Sequence, residues 1–507
     1  MGAPATNEVL VLDGVHVERL PPTVAAARPI DVAELFRDQP GLALLEAARP
    51  GRRSRWSYLT ADPLAVVEVG SVAAAADRAP RGSSTADLGF DEARRQLRRL
   101  DGTPPARTRE GAPLPPFAGG LVGYLGYDAG LLLEPRRAIA VDDQDLPIVR
   151  LALHDWIVAW DRRSGAAWLA GRAADGDRAR LAHRLGRVRE RLTGMTAGRV
   201  GEVTAGRADE RTAGRAREGV SGDLTFRSNL ERSGFEGRVE AIRAAIAAGE
   251  IYQANLSRRL EAPFRDDPWS LYRRVRTGDP ALFAAFLDLG PSPGGARRAI
   301  VSASPEPFLA VDADGRVLAD PIKGTRPRGR DREDDRALAR ELLGSEKDRA
   351  ENTMIVDVVR NDLGRVCTPG SVRVSRLCRL ERTAAVQHLV STVSGRLAAG
   401  RDPFDLLAAS FPGGSISGAP KLRAMQILEE LETVRRGPYT GALGWIGPDG
   451  AMVTSILIRT FVADGSRLSL NVGGGITWRS DPRAEWEETR AKAAGPLGAI
   501  GGREVDG

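Results

Sequence analysis

Hydrophobic residues recur at helical spacing near the middle of the chain. In FEGRVEAIRAAIAAGE, Phe235, Val239, Ile242 and Ile246 fall three or four positions apart, and Gly249 follows the last of them. A single apolar stripe at this period is typical of an amphipathic helix, and glycine commonly ends one. The pattern predicts a helix that ends just before Gly249.

Other apolar runs follow the two-residue period of β-strands. IYQANLSRRLEAPF alternates, while GALGWIG, AMVTSILIRTFVA and RLSLNVGGGI predict three strands joined by turns at 448–450 and 464–465. Residues 116–130, PFAGGLVGYLGYDAG, predict a glycine-containing strand pair. The later strands are apolar on both faces, which indicates a sheet buried in a sandwich. Strands and helices do not alternate strictly, so we expect an α+β fold rather than a parallel doubly wound sheet.

Composition divides the chain into three parts. Residues 1–162 mix strand-like runs with turn-rich stretches, whereas 163–225 are dominated by Ala, Arg, Gly and Glu. The early part of that middle segment, RARLAHRLGRVRERL, has helical spacing, and its later part has no sustained period. We expect an N-terminal lobe over 1–162, an insertion or linker over 163–225 and a third unit, 226–500, that carries the chemistry.

The charge pattern argues against nucleic acid as a partner. The 507 residues include 73 Lys and Arg against 67 Asp and Glu, but the arginines are interspersed with acids and no basic run is interleaved with aromatics. No apolar stretch reaches about 18 residues, and the first residues lack the order of a signal peptide. Two cysteines, Cys367 and Cys378, exclude a disulfide framework. We expect a cytoplasmic protein that does not span a membrane.

Lysine is unusually rare in this chain. Only four of the 73 basic residues are lysines: Lys323, Lys347, Lys421 and Lys492. Arginine stays protonated at any working pH, whereas a desolvated lysine can lose its proton and act as a nucleophile. These positions are therefore candidates for chemistry, with chance retention as the alternative.

Two segments with helical spacing carry carboxylates at notable positions. In one, a carboxylate lies on the apolar face, and in the other, two carboxylates and a lysine share one face. Glu351 lies one turn before Ile355, and Glu485, Glu488 and Lys492 fall at i, i+3 and i+7. Inward-facing carboxylates are costly unless a cation compensates them. Two such helices brought together would suit Mg²⁺, which binds a few carboxylates together with water and substrate oxygens. The alternative is a surface helix with an ion pair between Glu488 and Lys492.

Three further motifs are candidates for ligand contact. In ADPIKGTRPRG, a strand-like run ends at Lys323, and Gly324 and Thr325 could bind an anion; the alternative is a surface turn. The glycine run at 472–476 would let backbone approach a ligand closely. His388 is one of four histidines, and a core position is the alternative to an acid or base.

Ten stretches of the chain together resemble the chorismate-utilising enzymes, which include the anthranilate, aminodeoxychorismate, isochorismate and salicylate synthases. They cover roughly residues 235–497: IYQANLSRR, SASPEPFL, PIKGTRPRG, ENTMIVDVVRNDLGRV, VQHLVSTVSG, FPGGSISGAPKLRAMQILEELE, YTGALGW, ILIRT, VGGGI and SDPRAEWEETRAKA. The resemblance implies a two-lobed β-sandwich of large antiparallel sheets flanked by helices, with 226–500 as the chorismate-binding catalytic domain and 1–162 interleaved with it.

The resemblance also implies roles for individual residues. Lys323 is a covalent nucleophile, and Glu306, in SPE, is the general acid that helps the 4-hydroxyl leave. Glu351 and Glu488 bind Mg²⁺ with Glu485 close by, and the metal holds the ring carboxylate of chorismate. The substrate is held by Gly324, Thr325, His388, Tyr439, Arg459, Gly473, Gly474, Gly475 and Lys492.

Two positions indicate a branch of this family. Water-activating members carry a lysine where this chain has Gln253, and anthranilate synthases usually read PIAGT where this chain reads PIKGT. The resemblance therefore implies the aminodeoxychorismate branch, in which chorismate and ammonia give 4-amino-4-deoxychorismate for para-aminobenzoate and folate or related secondary metabolism. Pro307 replaces the arginine that usually follows the glutamate of SPE.

The partners follow from the same resemblance. Neither cysteine lies in a G-x-C-x-G elbow, so a separate glutaminase subunit is expected to supply ammonia. A downstream aminodeoxychorismate lyase is expected to release pyruvate. Anthranilate synthase component I is the alternative assignment.

Overall fold

The computed structural model describes residues 9–505, except 13, 50, 52, 72–87, 103–106, 109–110, 135–137, 195–223, 293–294, 296 and 384–385. Within these residues, fourteen strands form one sheet and ten form a second. The strands of the large sheet, numbered in chain order, are β1 (Val9–Leu12), β2 (Val15–Arg19), β3 (Ala43–Glu46), β4 (Trp56–Thr60), β8 (Trp156–Asp161), β9 (Ala166–Arg172), β10 (Leu224–Ser228), β11 (Gln253–Pro263), β12 (Phe283–Pro291), β13 (Arg297–Ser304), β19 (Gly418–Ala419), β22 (Thr460–Asp464), β23 (Arg467–Ile476) and β24 (Gly502–Glu504). Those of the small sheet are β5 (Ala65–Val69), β6 (Gly120–Leu125), β7 (Val149–His154), β14 (Pro307–Val311), β15 (Arg316–Ala319), β16 (Ile322–Pro327), β17 (Arg373–Arg382), β18 (Val386–Arg396), β20 (Ala442–Ile446) and β21 (Met452–Ile456).

Strands from both ends of the chain share each sheet. The large sheet runs in the order β1-β2-β9-β8-β4-β3-β12-β13-β22-β23-β11-β10-β24, and the small sheet in the order β16-β18-β15-β14-β21-β20-β6-β7-β5. The junctions β3–β12 and β6–β20 are antiparallel, as are the long pairs β11–β23 and β16–β18, whereas β10 and β24 run parallel. The N-terminal residues therefore complete both sheets rather than forming a body of their own.

Alternation along the strands explains why both faces are apolar. On β8, Ile157 and Ala159 belong to the apolar cluster between the two sheets, while Trp156 and Val158 belong to a cluster on the opposite face. Each sheet buries one face against the other sheet and its second face against helices. The expected α+β sandwich of large sheets flanked by helices is confirmed.

The helices cover the outer faces of the sandwich. Helical residues packed against the large sheet include Leu181, Leu185 and Trp269, and those packed against the small sheet include Phe90 and Phe404. The helices of the described residues, numbered in chain order, are α1 (Pro22–Ala26), α2 (Pro29–Ala33), α3 (Phe90–Leu97), α4 (Ala129–Leu133), α5 (Arg178–Thr193), α6 (Arg232–Ala247), α7 (Pro268–Gly278), α8 (Arg332–Gly344), α9 (Glu346–Gly364), α10 (Pro403–Ser410), α11 (Gly414–Ser417), α12 (Lys421–Leu431) and α13 (Pro482–Ala499), with a 3₁₀ turn at Glu34–Phe36.

The helix predicted before Gly249 is confirmed as α6. Phe235, Val239 and Ile242 are buried on it, and Gly249 follows it with a φ of +77°. In α12, Pro420 is the N-cap residue, immediately before the helix begins at Lys421.

The segment AMVTSILIRTFVA is not one strand, as predicted, but two strands in different sheets. It forms β21 in the small sheet and β22 in the large sheet. Between them, Arg459 has a φ of +50°, in the left-handed region that breaks an extended strand. The apolar period is the same in both strands because each sheet is buried on both faces, so the period conceals the crossover.

Two other predictions are corrected. Residues 116–130 form one strand, β6, followed by α4, and not a strand pair. The glycines instead allow close packing between strands, since a Cβ atom on Gly123 would lie 1.9 Å from the carbonyl oxygen of Arg150. The prediction of an insertion or linker over 163–225 is wrong for residues 166–193, which form β9 and α5 in the large-sheet half. Residues 195–223 lie outside the described residues.

In the part of the chain that the structure describes, no helix is both long enough and apolar enough to cross a membrane.

Candidate active site

Lys323 lies on β16 where that strand departs from regular pairing. The register between β16 and β18 shifts between Lys323 and Thr325, and Gly324 between them has a φ of +76°. A Cβ atom on Gly324 would lie 2.8 Å from the Cβ of Asp348 on α9. Only glycine satisfies both the backbone conformation and this close approach. The bulge thus brings Lys323 up to the helix that carries Glu351.

The Lys323 ammonium group is surrounded by protein but keeps part of its surface open. Its Nζ donates a hydrogen bond to the carbonyl oxygen of Ser415 at 3.0 Å. Burial lowers the pKa of Lys323 below its ordinary value, although the nearby carboxylates Glu306 and Glu351 oppose this shift. A lowered pKa increases the fraction of the neutral, nucleophilic amine.

Glu306 directly follows β13 and shares Ser415 with Lys323. The Ser415 hydroxyl donates to Glu306 Oε1 at 3.3 Å. Burial raises the pKa of Glu306, and the charge of Lys323 and the Ser415 hydrogen bond only partly offset it. A raised pKa makes a carboxyl group better suited to general acid catalysis. Glu306 and Lys323 are therefore both shifted towards their uncharged forms.

His388 faces Thr325 across the β16–β18 pair. Thr325 Oγ1 and His388 Nδ1 are 3.0 Å apart and hydrogen-bonded. Burial, assisted by the charge of Arg459, lowers the pKa of His388 to about 4. The imidazole is consequently neutral at physiological pH. It can donate a hydrogen bond to a substrate or accept one, but it does not supply a positive charge.

Lys492 connects α13 to the glycine run at the end of β23. Its Nζ donates to the carbonyl oxygen of Gly473 at 2.8 Å and lies 2.8 Å from Glu488 Oε1. A Cβ atom on Gly474 would lie 3.3 Å from Glu485 Oε2 and 3.6 Å from Glu488 Oε1. A larger side chain at 474 would therefore fill the space in front of these charged groups, which explains the glycine there.

Three carboxylates, Glu351 on α9 and Glu485 and Glu488 on α13, form an acidic region beside Lys323. Burial raises the pKa of Glu351 and Glu485, and in each case the charge of Glu488 adds to the shift. Burial also acts on Glu488, but Lys492, Lys347 and Lys323 outweigh it and hold the pKa of Glu488 below its ordinary value. The negative charge of Glu488 therefore acts on both Glu351 and Glu485.

Neighbouring protein groups partly compensate the negative charge of the acidic region. Ser480 Oγ donates to Glu485 Oε1 at 2.6 Å, and Lys347 Nζ lies 4.0 Å from Glu351 Oε1. Within the described ranges, no cluster of three or more Asp, Glu, His or Cys side chains is gathered closely enough to hold a metal. The chemistry of the donor set nevertheless fits Mg²⁺, because all three are hard carboxylate oxygens on two facing elements. The Mg²⁺ site stays a prediction.

Two predicted substrate contacts lie towards the edge of the site. The Tyr439 ring is buried beside the Arg436 guanidinium, 6.0 Å away, and burial raises its pKa above the ordinary value. Arg459 is half exposed and lies 3.5 Å from Asp279, and its charge reaches His388. The residue lies at the crossover between the two sheets, where its φ is +50°.

Gln253, at the start of β11, is buried with its amide unsatisfied. Neither its Oε1 nor its Nε2 has a hydrogen-bond partner among the described residues, and a Cβ atom on Gly475 would lie 2.1 Å from Nε2. The side chain therefore occupies the space above Gly475. A buried, unpaired amide beside this glycine run is available to a polar ligand.

The structure also reveals residues that the motifs alone did not single out. Ser415 contacts both Lys323 and Glu306, and Lys421 pairs with Asp362 on α9 at 2.7 Å. All four lysines of the chain thus lie in the site or against the elements that build it. The scarcity of lysine had already made Lys421 a candidate, whereas no pattern marked Ser415.

Comparison with known proteins agrees with this geometry. A family model described as chorismate binding enzyme matches residues 48–498. The match spans well over half of the chain, which therefore belongs to the chorismate-binding enzymes.

Particular relatives carry two different names. Anthranilate synthase component 1 of Thermus thermophilus is 39% identical over 470 residues, covering 92% of this chain and 94% of that protein. Aminodeoxychorismate synthase of Streptomyces griseus is 38% identical over 469 residues, covering 91% of this chain and 61% of that longer protein. The crystal structure of anthranilate synthase component I from Streptococcus pneumoniae TIGR4 is similar with a TM-score of 0.70 and 29% identity, over 88% of this chain and 93% of that one.

Proposed function

We propose that the chain is a synthase component that converts chorismate and ammonia to 4-amino-4-deoxychorismate, with Lys323 as a covalent nucleophile. The observation that carries the proposal is the placement of Lys323. Its side chain is desolvated by burial, its Nζ donates a hydrogen bond to the carbonyl oxygen of Ser415, and the negative charge of Glu306 acts on it. A lysine that only bound an anion would gain from staying protonated, whereas burial here favours the neutral amine.

The proposed chemistry has two balanced steps. The lone pair of Lys323 Nζ forms a bond to ring carbon 2, both ring double bonds shift by one position, and the bond from carbon 4 to its hydroxyl breaks. Glu306 gives its proton to the departing oxygen, which leaves as water. Ammonia then forms a bond to carbon 4, both double bonds shift back, and the bond to Lys323 breaks, returning the electron pair to Nζ. The new ammonium group returns a proton to Glu306. A neutral amine and a protonated acid are the forms that this sequence needs.

The remaining residues are proposed to hold the substrate. Lys492 and the backbone of Gly473–Gly475 would bind a carboxylate, together with Gly324, Thr325 and neutral His388. Glu351, Glu485 and Glu488 would hold Mg²⁺, which supplies positive charge for the ring carboxylate. The hard-oxygen donor set and the mutual repulsion of the three carboxylates support this assignment.

Ammonia would come from a separate glutaminase subunit, and an aminodeoxychorismate lyase would act on the product. Both cysteines are buried, Cys367 against the helix-covered face of the small sheet and Cys378 against Asn352, so neither offers an accessible thiolate for glutamine hydrolysis. We expect the isolated chain to turn over with ammonium but not with glutamine. Glutamine-dependent turnover by the pure chain would contradict this.

Anthranilate synthase component I is the second candidate. The names of the relatives favour it, since the Thermus thermophilus protein is at least as similar as the Streptomyces griseus one and matches this chain over nearly its whole length. Against it stands the lysine in PIKGT, where anthranilate synthases usually have alanine.

Product identification separates the two candidates. The chain is incubated with chorismate, Mg²⁺ and ammonium, and the products are analysed by mass spectrometry together with an assay for released pyruvate. An amino product that keeps the enolpyruvyl group supports 4-amination. Stoichiometric pyruvate with a 2-aminobenzoate product assigns the chain to the anthranilate branch instead.

A further inference from the structure

Ser415 contacts both of the reacting side chains from a distant part of the sequence. Its carbonyl oxygen accepts a hydrogen bond from Lys323 Nζ at 3.0 Å, and its hydroxyl donates to Glu306 Oε1 at 3.3 Å. Lys323 lies 92 positions away and Glu306 109 positions away. A single residue therefore connects the candidate nucleophile to the candidate acid.

We propose that Ser415 is a positioning residue, which holds Lys323 and Glu306 so that both address the same substrate ring; this rests on the function proposed above. The two contacts use different atoms of Ser415. The backbone carbonyl orients the amine, and the hydroxyl holds the carboxyl group. Because a hydroxyl both donates and accepts, it can hold Glu306 in the charged and in the protonated form.

The turn that carries Ser415 is braced by buried hydrogen bonds. Ser417 Oγ donates to the carbonyl oxygen of Gly413 at 2.9 Å, and Arg436 Nη1 donates to the carbonyl oxygen of Ile416 at 3.0 Å. Arg436 is itself fully buried and paired with Glu432 at 2.8 Å. Such a turn holds its groups within the narrow tolerance that catalysis requires.

The same turn is tied to the helix that carries Glu351. A Cβ atom on Gly414 would lie 2.6 Å from Val358 Cγ1 on α9, so the turn packs directly on that helix. Lys421, which begins the next helix α12, connects α9 to the end of α10, since its Nζ lies 2.7 Å from Asp362 on α9 and 3.0 Å from the carbonyl oxygen of Ser410. The position of Ser415 is therefore set against α9 as well as against β16.

The structure provides matched variants for a test. Ser415→Ala removes the hydroxyl but keeps the carbonyl contact to Lys323, and Ser415→Thr keeps the hydroxyl. Ser415 lines a cavity together with Glu306 and Ile355. Ser417→Ala is the control, because it removes a buried hydroxyl from the same turn, and that hydroxyl donates a hydrogen bond to the carbonyl oxygen of Gly413.

We expect Ser415→Ala to lower kcat about tenfold with little change in KM, because one hydrogen bond that aligns the acid is lost. The Ser415 hydrogen bond lowers the pKa of Glu306, so its removal raises that pKa, and the alkaline limb of the kcat–pH profile should move to higher pH. Ser415→Thr should restore both. Ser417→Ala should keep kcat and the alkaline limb near wild type while lowering the urea midpoint.

Two results would overturn the proposal: an unchanged kcat and pH profile in Ser415→Ala, or the same kcat loss and limb shift in Ser417→Ala, which would reduce the effect to destabilisation of the turn. Wild-type product is identified first under the same conditions. If the wild type forms no aminated product from chorismate and ammonium, the proposed function fails; if it does and Ser415→Ala matches it, only the positioning role fails.

Discussion

The two halves of the site balance their charges in opposite ways. Around Ser415, burial raises the pKa of Glu306 and lowers that of Lys323, so both groups move towards their uncharged forms. In the acidic region, the charges of nearby lysines hold the pKa of Glu488 below its ordinary value. The pKa values of Glu351 and Glu485 are raised by burial and, in part, by the negative charge of Glu488. One half is prepared for proton and bond transfer by its own residues. The other concentrates negative charge and is suited to an added cation.

This contrast predicts different responses to substitution. Around Ser415 the proposed reaction needs a particular reacting atom, so a substitution that conserves the charge but replaces that atom should still lower activity. In the acidic region the charge itself matters, so an isosteric neutral substitution should be enough to disrupt it.

The largest effect is expected for Lys323. Lys323→Arg keeps the positive charge but removes the nucleophile, since a guanidinium does not deprotonate, and should cost several kcal/mol, about a thousandfold or more in kcat. Lys323→Ala should do the same to 4-amination and open space beside ring carbon 2, where ammonia could then give some 2-amino product. Rates and products are measured with ammonium.

The covalent step has a direct test. Wild-type protein quenched with chorismate in the absence of ammonia is digested and mapped by mass spectrometry for an adduct on the peptide that contains Lys323. Lack of an adduct combined with near-normal turnover in Lys323→Arg would leave Lys323 a purely electrostatic role.

The next largest effect is expected in the acidic region. Glu351→Gln and Glu488→Gln each remove a charged ligand while keeping the shape, and should lower kcat/KM about a hundredfold and raise the Mg²⁺ concentration for half-maximal rate. Glu487→Gln is the control, because Glu487 lies on the same helix but its charge acts on Arg232 of α6. A normal Mg²⁺ titration in either of the first two variants would remove the metal assignment.

A smaller effect is expected at the glycine run. Gly474→Ala places a methyl group 3.3 Å from Glu485 Oε2, in the space assigned to the substrate, and should raise KM for chorismate roughly fivefold to tenfold with less effect on kcat. Gly495→Ala on α13 is the control, since nothing lies within 4 Å of its added Cβ. Equal KM values in the two variants would show that chorismate does not approach Gly474.

The smallest effect concerns stability. His388 has a folded-state pKa of about 4, below the ordinary 6.5, so the unfolded chain binds more protons between these values. The contribution of neutral His388 is therefore complete above pH 6.5 and is lost as the pH falls towards 4. Urea unfolding at pH 7.5 and 5 should show a smaller loss for His388→Gln than for wild type. His183→Gln, at an exposed position of α5, should behave like wild type; an equal loss in all three proteins would contradict the assignment.

Much of the local structure and part of the site could be predicted from the sequence. The stripe of Phe235, Val239 and Ile242 determines α6, and the spacing of Glu485 and Glu488 places both on one side of α13. These are short-range effects of the helical repeat, which the order of residues alone specifies. The scarcity of lysine likewise pointed to four positions, of which Lys323, Lys347 and Lys492 lie beside the candidate site and Lys421 lies against α9, which carries Glu351.

Only the tertiary structure decided which distant residues meet. The division of 452–464 between two sheets is invisible in its hydrophobic period, because burial on both faces gives the same pattern in either sheet. The contacts of Ser415 are likewise undetectable beforehand. One is made by a backbone carbonyl, which every residue possesses, and both join residues about a hundred positions apart. Side-chain type and local spacing determine helices and strands; which polar atoms face one another depends on how two large sheets and their covering helices pack.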